Sequence, residues 1–281
     1  MEMVKTKVIA LCAGALLLCS CSHSFKWQKF SIDGHRTGVT VPTATNVKEA
    51  IGVVENGVYT APNGKVFADG ATPAVAELLI AVQPEMARLK EVVAHSAEPM
   101  TKGRPESMLS NFVVDHLFAD VQALCKPSGR KVDVAITNFG GIRVDLPQGD
   151  VLLDDIVSML PFKNYLCYVQ IPGSELRGIF DFMAENGVQC ISGARLVIKD
   201  HKLVSAEVGG SPLDDSRLYG VATIDFLLDG GDGYKIARGA KDYLISDIRI
   251  GDAILADIRA ITAAGEELKY FTDGRVLIQE D

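Results

Sequence analysis

Apolar positions divide the chain into unlike stretches. Lys5 and Lys7 precede an apolar run over 8–18 that ends in small residues and cysteine. It is too short to cross a bilayer and has the form of an export signal. Between 24 and about 70, short β-rich runs are separated by turn signals at Asp33-Gly34, Pro42, Pro62-Asn63-Gly64 and Asp69-Gly70. No long helical period is present there, which predicts a small β-rich extension. From Thr72 the spacing changes: Val75, Leu78, Leu79, Val82, Met86, Leu89 and Val93 recur at helical intervals. This predicts one long amphipathic helix over 72–93, kinked or broken at Pro84. Leu109, Phe112, Val113, Leu117 and Val121 mark the buried face of a second helix over about 106–124.

Beyond Lys131 strand-like and helix-like runs alternate. Residues 132–137 read as a buried strand, and a short helix follows from Leu153, opened by Asp154 and Asp155. Residues 165–171 form the next strand, and Pro172-Gly173-Ser174 starts a helix to about Glu185 with Ser174 placed as N-cap. A hairpin is expected from 196–199 and 204–208 across Asp200-His201, then a strand at 218–224, a helix at 248–261 and a closing strand at 275–279. Neither a Rossmann nor a P-loop pattern is present, so the fold class is α+β: a mixed sheet with flanking helices. The expected organisation is a signal at 1–20, the β-rich extension at 21–71, and the main domain with its leading helix at 72–281.

Composition sharpens this picture. With 48% hydrophobic and 23% charged residues, the roughly 260 residues after the signal suffice for a full core. The net charge of −8, from 28 basic and 36 acidic residues, leaves no basic footprint for nucleic acid. An anionic ligand therefore has to be met by individually placed basic side chains. Leu18-Cys19-Ser20-Cys21 has the form at which lipoprotein precursors are cut, making Cys21 the acylated residue. A plain secretory peptide cut nearby is the alternative. The expectation is an exported chain, lipid-anchored to a bacterial membrane. Cys125, Cys167 and Cys190 read as buried free thiols, with one bridging pair as the alternative.

Three segments place glycine, aromatic and polar residues where a regular element hands over to a loop, positions that serve ligands more often than packing. In Asn138-Phe139-Gly140-Gly141-Ile142-Arg143, the glycines let backbone approach a ligand and Arg143 suits a phosphate or carboxylate. Taken alone, it is equally a glycine turn with a solvated arginine. In Leu160-Pro161-Phe162-Lys163-Asn164, Phe162 could project beside the Asn164 amide, or be a core residue. The run 225–234 sets Phe226 before a tight Gly230-Gly231-Asp232-Gly233 loop. Two facing aromatics would sandwich a planar ring, and Asp232 would accept from a diol. A surface turn with solvated acids is the plainer reading.

These three segments, in this order and at this spacing, resemble the C-terminal domain of the 5′-nucleotidases over about 106 to the C-terminus. In that family this domain selects the nucleotide, while a separate N-terminal metallophosphatase domain holds two metal ions. The resemblance implies that Phe162 and Phe226 clamp the base and that Asn164 contacts it. It implies that Asp232 holds the ribose, that Asn138 and Arg143 face the nucleoside-phosphate side, and that Gly187 lets backbone approach the base. Two positions depart from the pattern. Phe139 replaces a small residue, so it could narrow the site or wall it. Gly103 replaces an arginine three residues before Glu106, leaving Arg104 as its candidate substitute, while Asn111 and Asp115 keep the family spacing from Glu106.

A two-metal phosphatase needs clustered Asp, His and Asn ligands. Of the expected segments only Asp33-Gly34-His35 is present, and it reads as a turn; His23, His95, His116 and His201 are isolated. No metal or other cofactor is expected on this chain, and no residue reads as catalytic. The leading expectation is a nucleotide-recognition lipoprotein whose hydrolytic metals sit on a separate metallophosphatase subunit. The alternative is a stand-alone nucleoside- or nucleotide-binding lipoprotein.

Overall fold

The computed structural model describes residues 37–40, 42 and 45–279. The export signal, Cys21, His23 and Asp33-Gly34-His35 lie outside the described residues. Two compact units are formed, residues 46–77 with 37–40 and 42, and residues 78–279 with Thr45.

In the first unit, a short helix Val47–Ile51 precedes an antiparallel sheet of β1 (Val53–Glu55), β2 (Val58–Thr60) and β3 (Val66–Phe67). Tyr59 anchors it: its ring stacks on Phe67 at 5.8 Å and its hydroxyl donates to the Ile51 carbonyl at 2.6 Å. The chain turns into β1 at Gly52, with φ 93°, where a Cβ would collide with the Thr60 carbonyl.

The single helix expected over 72–93 is not what forms. Helix Thr72–Ala81 ends, a four-residue helix Gln83–Met86 and a 3-10 turn Ala87–Lys90 follow, and β4 (Val92–Ser96) is extended. Pro84 offers no N–H to continue the ladder and sits at the start of the second piece. Val75, Leu78 and Leu79, expected to be buried, are 52%, 64% and 49% exposed. Helix Met108–Cys125 has the expected buried face, with Leu109, Phe112, Val113, Leu117 and Val121 excluded from solvent. Ser107 and Ser110 cap its start reciprocally.

After β5 (Val134–Thr137), β6 (Gly149–Leu152) pairs antiparallel with β4. Helix Leu153–Met159 is opened by Asp155, whose carboxylate accepts the Leu152 N–H at 2.7 Å. β7 (Tyr165–Pro172) runs into helix Gly173–Asn186, where Ser174 is not the N-cap. The first amides instead donate to the Arg217 and Asp215 carbonyls of a neighbouring loop, which removes the need for a side-chain cap. The chain continues through β8 (Cys190–Ser192), β9 (Ala194–Lys199), β10 (Lys202–Val208), β11 (Ser211–Pro212), β12 (Leu218–Ile224), β13 (Asp242–Arg249), helix Ile250–Ala263 and β14 (Val276–Gln279). The β9–β10 hairpin turns through Asp200 and His201, both at positive φ, as a tight two-residue connection requires.

Two sheets dominate. The five-stranded sheet has the order β13-β7-β12-β5-β8, antiparallel except for the parallel β12–β5 pair. The four-stranded sheet has the order β11-β10-β9-β14, so β14 lies parallel to β9 at an edge instead of closing the first sheet. Helix Met108–Cys125 packs on β5, β7, β8 and β12. One continuous apolar core fills this unit, including Phe112, Ile136, Tyr168, Phe180, Tyr219 and Ile254. The mixed α+β class is thus the observed one.

Candidate functional site

Strand register brings the three sequence segments to one end of the five-stranded sheet. Val221 and Ala222 of β12 lie opposite Val134 and Ala135 of β5, and because the pair is parallel both strands end together. Ile224 of β12 lies opposite Leu166 of β7, which runs the other way and so begins there. The loops after β5 and β12 and the loop before β7 therefore meet at the carboxyl edge of the parallel pair, where open sheets commonly leave a crevice.

Asn138, Gly140, Gly141, Arg143, Phe162, Asn164, Phe226 and Asp232 line one pocket there, of about 250 Å³. Phe162 and Phe226 are 50% and 44% exposed, far too open for core residues. Asn138 is buried, and its Nδ2 donates to Asp232 Oδ2 at 2.7 Å, joining the first and third segments. The Asn138 Oδ1 is buried without a hydrogen-bond partner. Gly141 must be small, since a Cβ there would lie 2.9 Å from that oxygen. Arg143 Nη1 donates to the Gly140 carbonyl at 3.2 Å, and its guanidinium lies 5.8 Å from the Phe162 ring centre.

The third segment is a tight glycine loop. Asp232 takes φ 50° between Gly230 at 105° and Gly233 at 82°, which aims its carboxylate back at Asn138. Gly231 passes so close under Phe226 that a Cβ would collide with the Phe226 carbonyl and ring. Below, Tyr234 is buried against the edge of Phe182 at 4.9 Å, and burial pushes its phenol up to about 12.

Asp225 was not singled out in the sequence, yet it organises the site. Its Oδ1 accepts from Asn164 Nδ2 at 2.9 Å, from the Tyr165 N–H at 3.1 Å and from the Phe226 N–H at 2.9 Å. One oxygen thus ties the Phe162–Asn164 loop to the Phe226 loop. The only sequence signal was an acid at a strand end immediately before the aromatic.

Two expected site residues lie elsewhere. Gly187 and Arg104 line a different cavity of about 510 Å³, with Met183, Val188, Ile198 and His201. Arg104 Nε donates to the Val188 carbonyl at 2.9 Å and its guanidinium lies 4.8 Å from the Phe139 ring centre. Phe139 is buried beneath that arginine and is not among the residues lining the smaller pocket, so it neither walls nor narrows it. Glu106, Asn111 and Asp115 belong to an ionic cluster around Arg275. Cys125, Cys167 and Cys190 are free and buried. Among the described residues, no group of three or more His, Cys, Asp or Glu side chains is disposed to hold a metal ion, and no helix is long and apolar enough to cross a membrane.

The chain belongs to the family of the 5′-nucleotidase C-terminal domain, whose model matches residues 88–239. Among its relatives, Protein UshA of Yersinia enterocolitica is 34% identical over 107 residues, covering 36% of this chain and 20% of that protein. A probable 5′-nucleotidase of Treponema pallidum is 25% identical over 202 residues, covering 62% of this chain and 32% of the relative. The 5′-nucleotidase precursor of Thermus thermophilus superposes with a TM-score of 0.65 at 20% identity, covering 80% of this chain and 49% of that one. The chain thus spans between about a fifth and a half of the length of these relatives.

Proposed function

We propose that this chain is the nucleotide-recognition component of a 5′-nucleotidase-type hydrolase, with hydrolysis performed by a dimetal centre on a separate metallophosphatase chain. The observation that carries the reading is the pair of half-exposed rings, Phe162 and Phe226, flanking one small pocket with Arg143, Asn164 and Asp232. Two open aromatic faces suit a planar base. Asp232 offers carboxylate oxygen to ribose hydroxyls, and Arg143 offers a guanidinium to phosphate. Anchoring through lipid at Cys21 on the outer side of a bacterial membrane would hold it beside a similarly exported catalytic chain. The metallophosphatase partner is proposed from the family resemblance, in which this domain accompanies a metal-bearing hydrolytic domain.

Isothermal titration of the chain lacking residues 1–21 with adenosine, adenosine 5′-monophosphate and orthophosphate tests the recognition role. Micromolar binding of the monophosphate, weaker binding of the nucleoside and none of orthophosphate are expected. Co-purification from the native membrane then tests the partner: a metal-dependent phosphatase recovered with this chain supports it. Tight nucleotide binding with neither partner nor hydrolysis would instead favour a stand-alone binding lipoprotein.

A further inference from the structure

The hydrogen-bonding polarity of the pocket is set by a residue that does not line it. Asn164 lines the cavity; Asp225 does not. Asp225 Oδ1 accepts from Asn164 Nδ2, and the Tyr165 and Phe226 N–H groups hold that same oxygen in place. A carboxylate oxygen only accepts, so the Asn164 amide cannot be turned over. A flipped amide would bring its carbonyl to 2.9 Å from Asp225 with no proton between them. The amide nitrogen is therefore held at Asp225, with one of its two hydrogens engaged there, and the carbonyl oxygen is the acceptor that the amide offers a ligand. Asn138 is fixed in the same way by Asp232, its nitrogen engaged at 2.7 Å. The acceptor that Asn164 presents is thus fixed in place by Asp225.

We propose that Asp225 is a positioning residue that gives the pocket a preference for an amino-bearing base over its oxo or unsubstituted counterpart. This rests on the nucleotide reading above. An exocyclic amine donates to Asn164 Oδ1. A ring carbonyl at that place sets two acceptors face to face, and a bare C–H leaves the amide oxygen desolvated and unpaired.

The test is titration of the chain with adenosine 5′-monophosphate and purine riboside 5′-monophosphate, which differ only in the 6-amino group, alongside the cytidine and uridine monophosphates. The amino member of each pair is expected to bind about tenfold more tightly. Asp225→Asn keeps the preference, because its carbonyl can take the same three donors. Asp225→Ala frees the amide, and Asn164→Ala removes it, so both bring the ratio to within about twofold. Thermal melts confirm that each variant is folded. Equal binding of the paired nucleotides by the wild-type chain overturns the inference, as does a preference that survives Asn164→Ala. If those equal affinities are still abolished by Phe162→Ala, only the role of Asp225 is lost; if no nucleotide binds the wild-type chain, the recognition reading falls and this inference with it.

Discussion

Two polar clusters in the same unit use similar residues to opposite ends. Around Arg275, every charge is answered from within the chain. Its guanidinium donates to Asp115 at 2.7 and 2.9 Å, to Asp273 at 2.9 Å and to the Ile191 carbonyl at 3.0 Å. Tyr270 donates to Asp115 at 2.8 Å, and Asn111 donates to Glu106 at 2.7 Å. Burial pulls the guanidinium down, but the Asp115 and Asp273 carboxylates outweigh it and hold Arg275 above its ordinary value. The cluster clasps the segment leading to β14 onto helix Met108–Cys125. At the pocket, Arg143 bonds a backbone carbonyl and lies over an aromatic ring, while two phenylalanines stand half in solvent. Charge satisfied internally is structure, and charge beside open aromatic faces is what the proposed site offers a ligand.

The largest expected effect breaks the clasp. Arg275→Leu leaves Asp115 and Asp273 without their cation and costs about 3–5 kcal/mol, a fall of about 10 °C in melting temperature by scanning calorimetry. Nucleotide affinity of the folded protein stays unchanged at low temperature, and a parallel loss of binding would show the two clusters to be one. Next come Phe162→Ala and Phe226→Ala. Each is expected to weaken adenosine 5′-monophosphate by about tenfold to a hundredfold, with the melting temperature moving by only a few degrees, since the rings are half exposed. Arg143→Ala follows, weakening the monophosphate about tenfold while leaving adenosine unaffected. An equal loss for both ligands would remove the phosphate-facing role.

The smallest effect lies behind the clasp. Burial, with help from Asp257, pushes the Asp120 carboxyl up to about 6, while His116 pulls it down. A raised carboxyl favours folding in its protonated form, so its contribution is complete below about pH 4 and is lost as pH rises through about 6. Asp120→Asn should therefore raise the melting temperature by a few degrees at pH 7.5 and leave it unchanged at pH 3.5. A shift of equal size at both pH values would contradict a titrating origin.

The sequence made legible whatever was encoded by strong local period or by loop chemistry. Helix Met108–Cys125 was visible in five apolar positions, and the pocket in its aromatics and glycines. What it concealed depended on partners distant in the chain. Residues 72–93 carry a helical spacing that Pro84 interrupts, and Val92–Ser96 becomes extended because β6, some 55 residues later, pairs with it. β8 is three residues long, and β13 has only Tyr243, Leu244 and Ile245 together between polar residues, two of them exposed, so neither presents a long apolar run. Asp225 looked like any acid at a strand end; its role appears only once β7 and β12 set two loops side by side. Gly187 and Arg104 were placed by the family resemblance, and the fold sets them in the other cavity.

The most direct measurement is a crystal structure of the chain with adenosine 5′-monophosphate. The base should lie between the Phe162 and Phe226 rings, with the ribose hydroxyls on Asp232 and the phosphate at Arg143. A nucleotide bound instead in the larger cavity beside Arg104 and Gly187, with the aromatic pocket left empty, would show that recognition resides elsewhere.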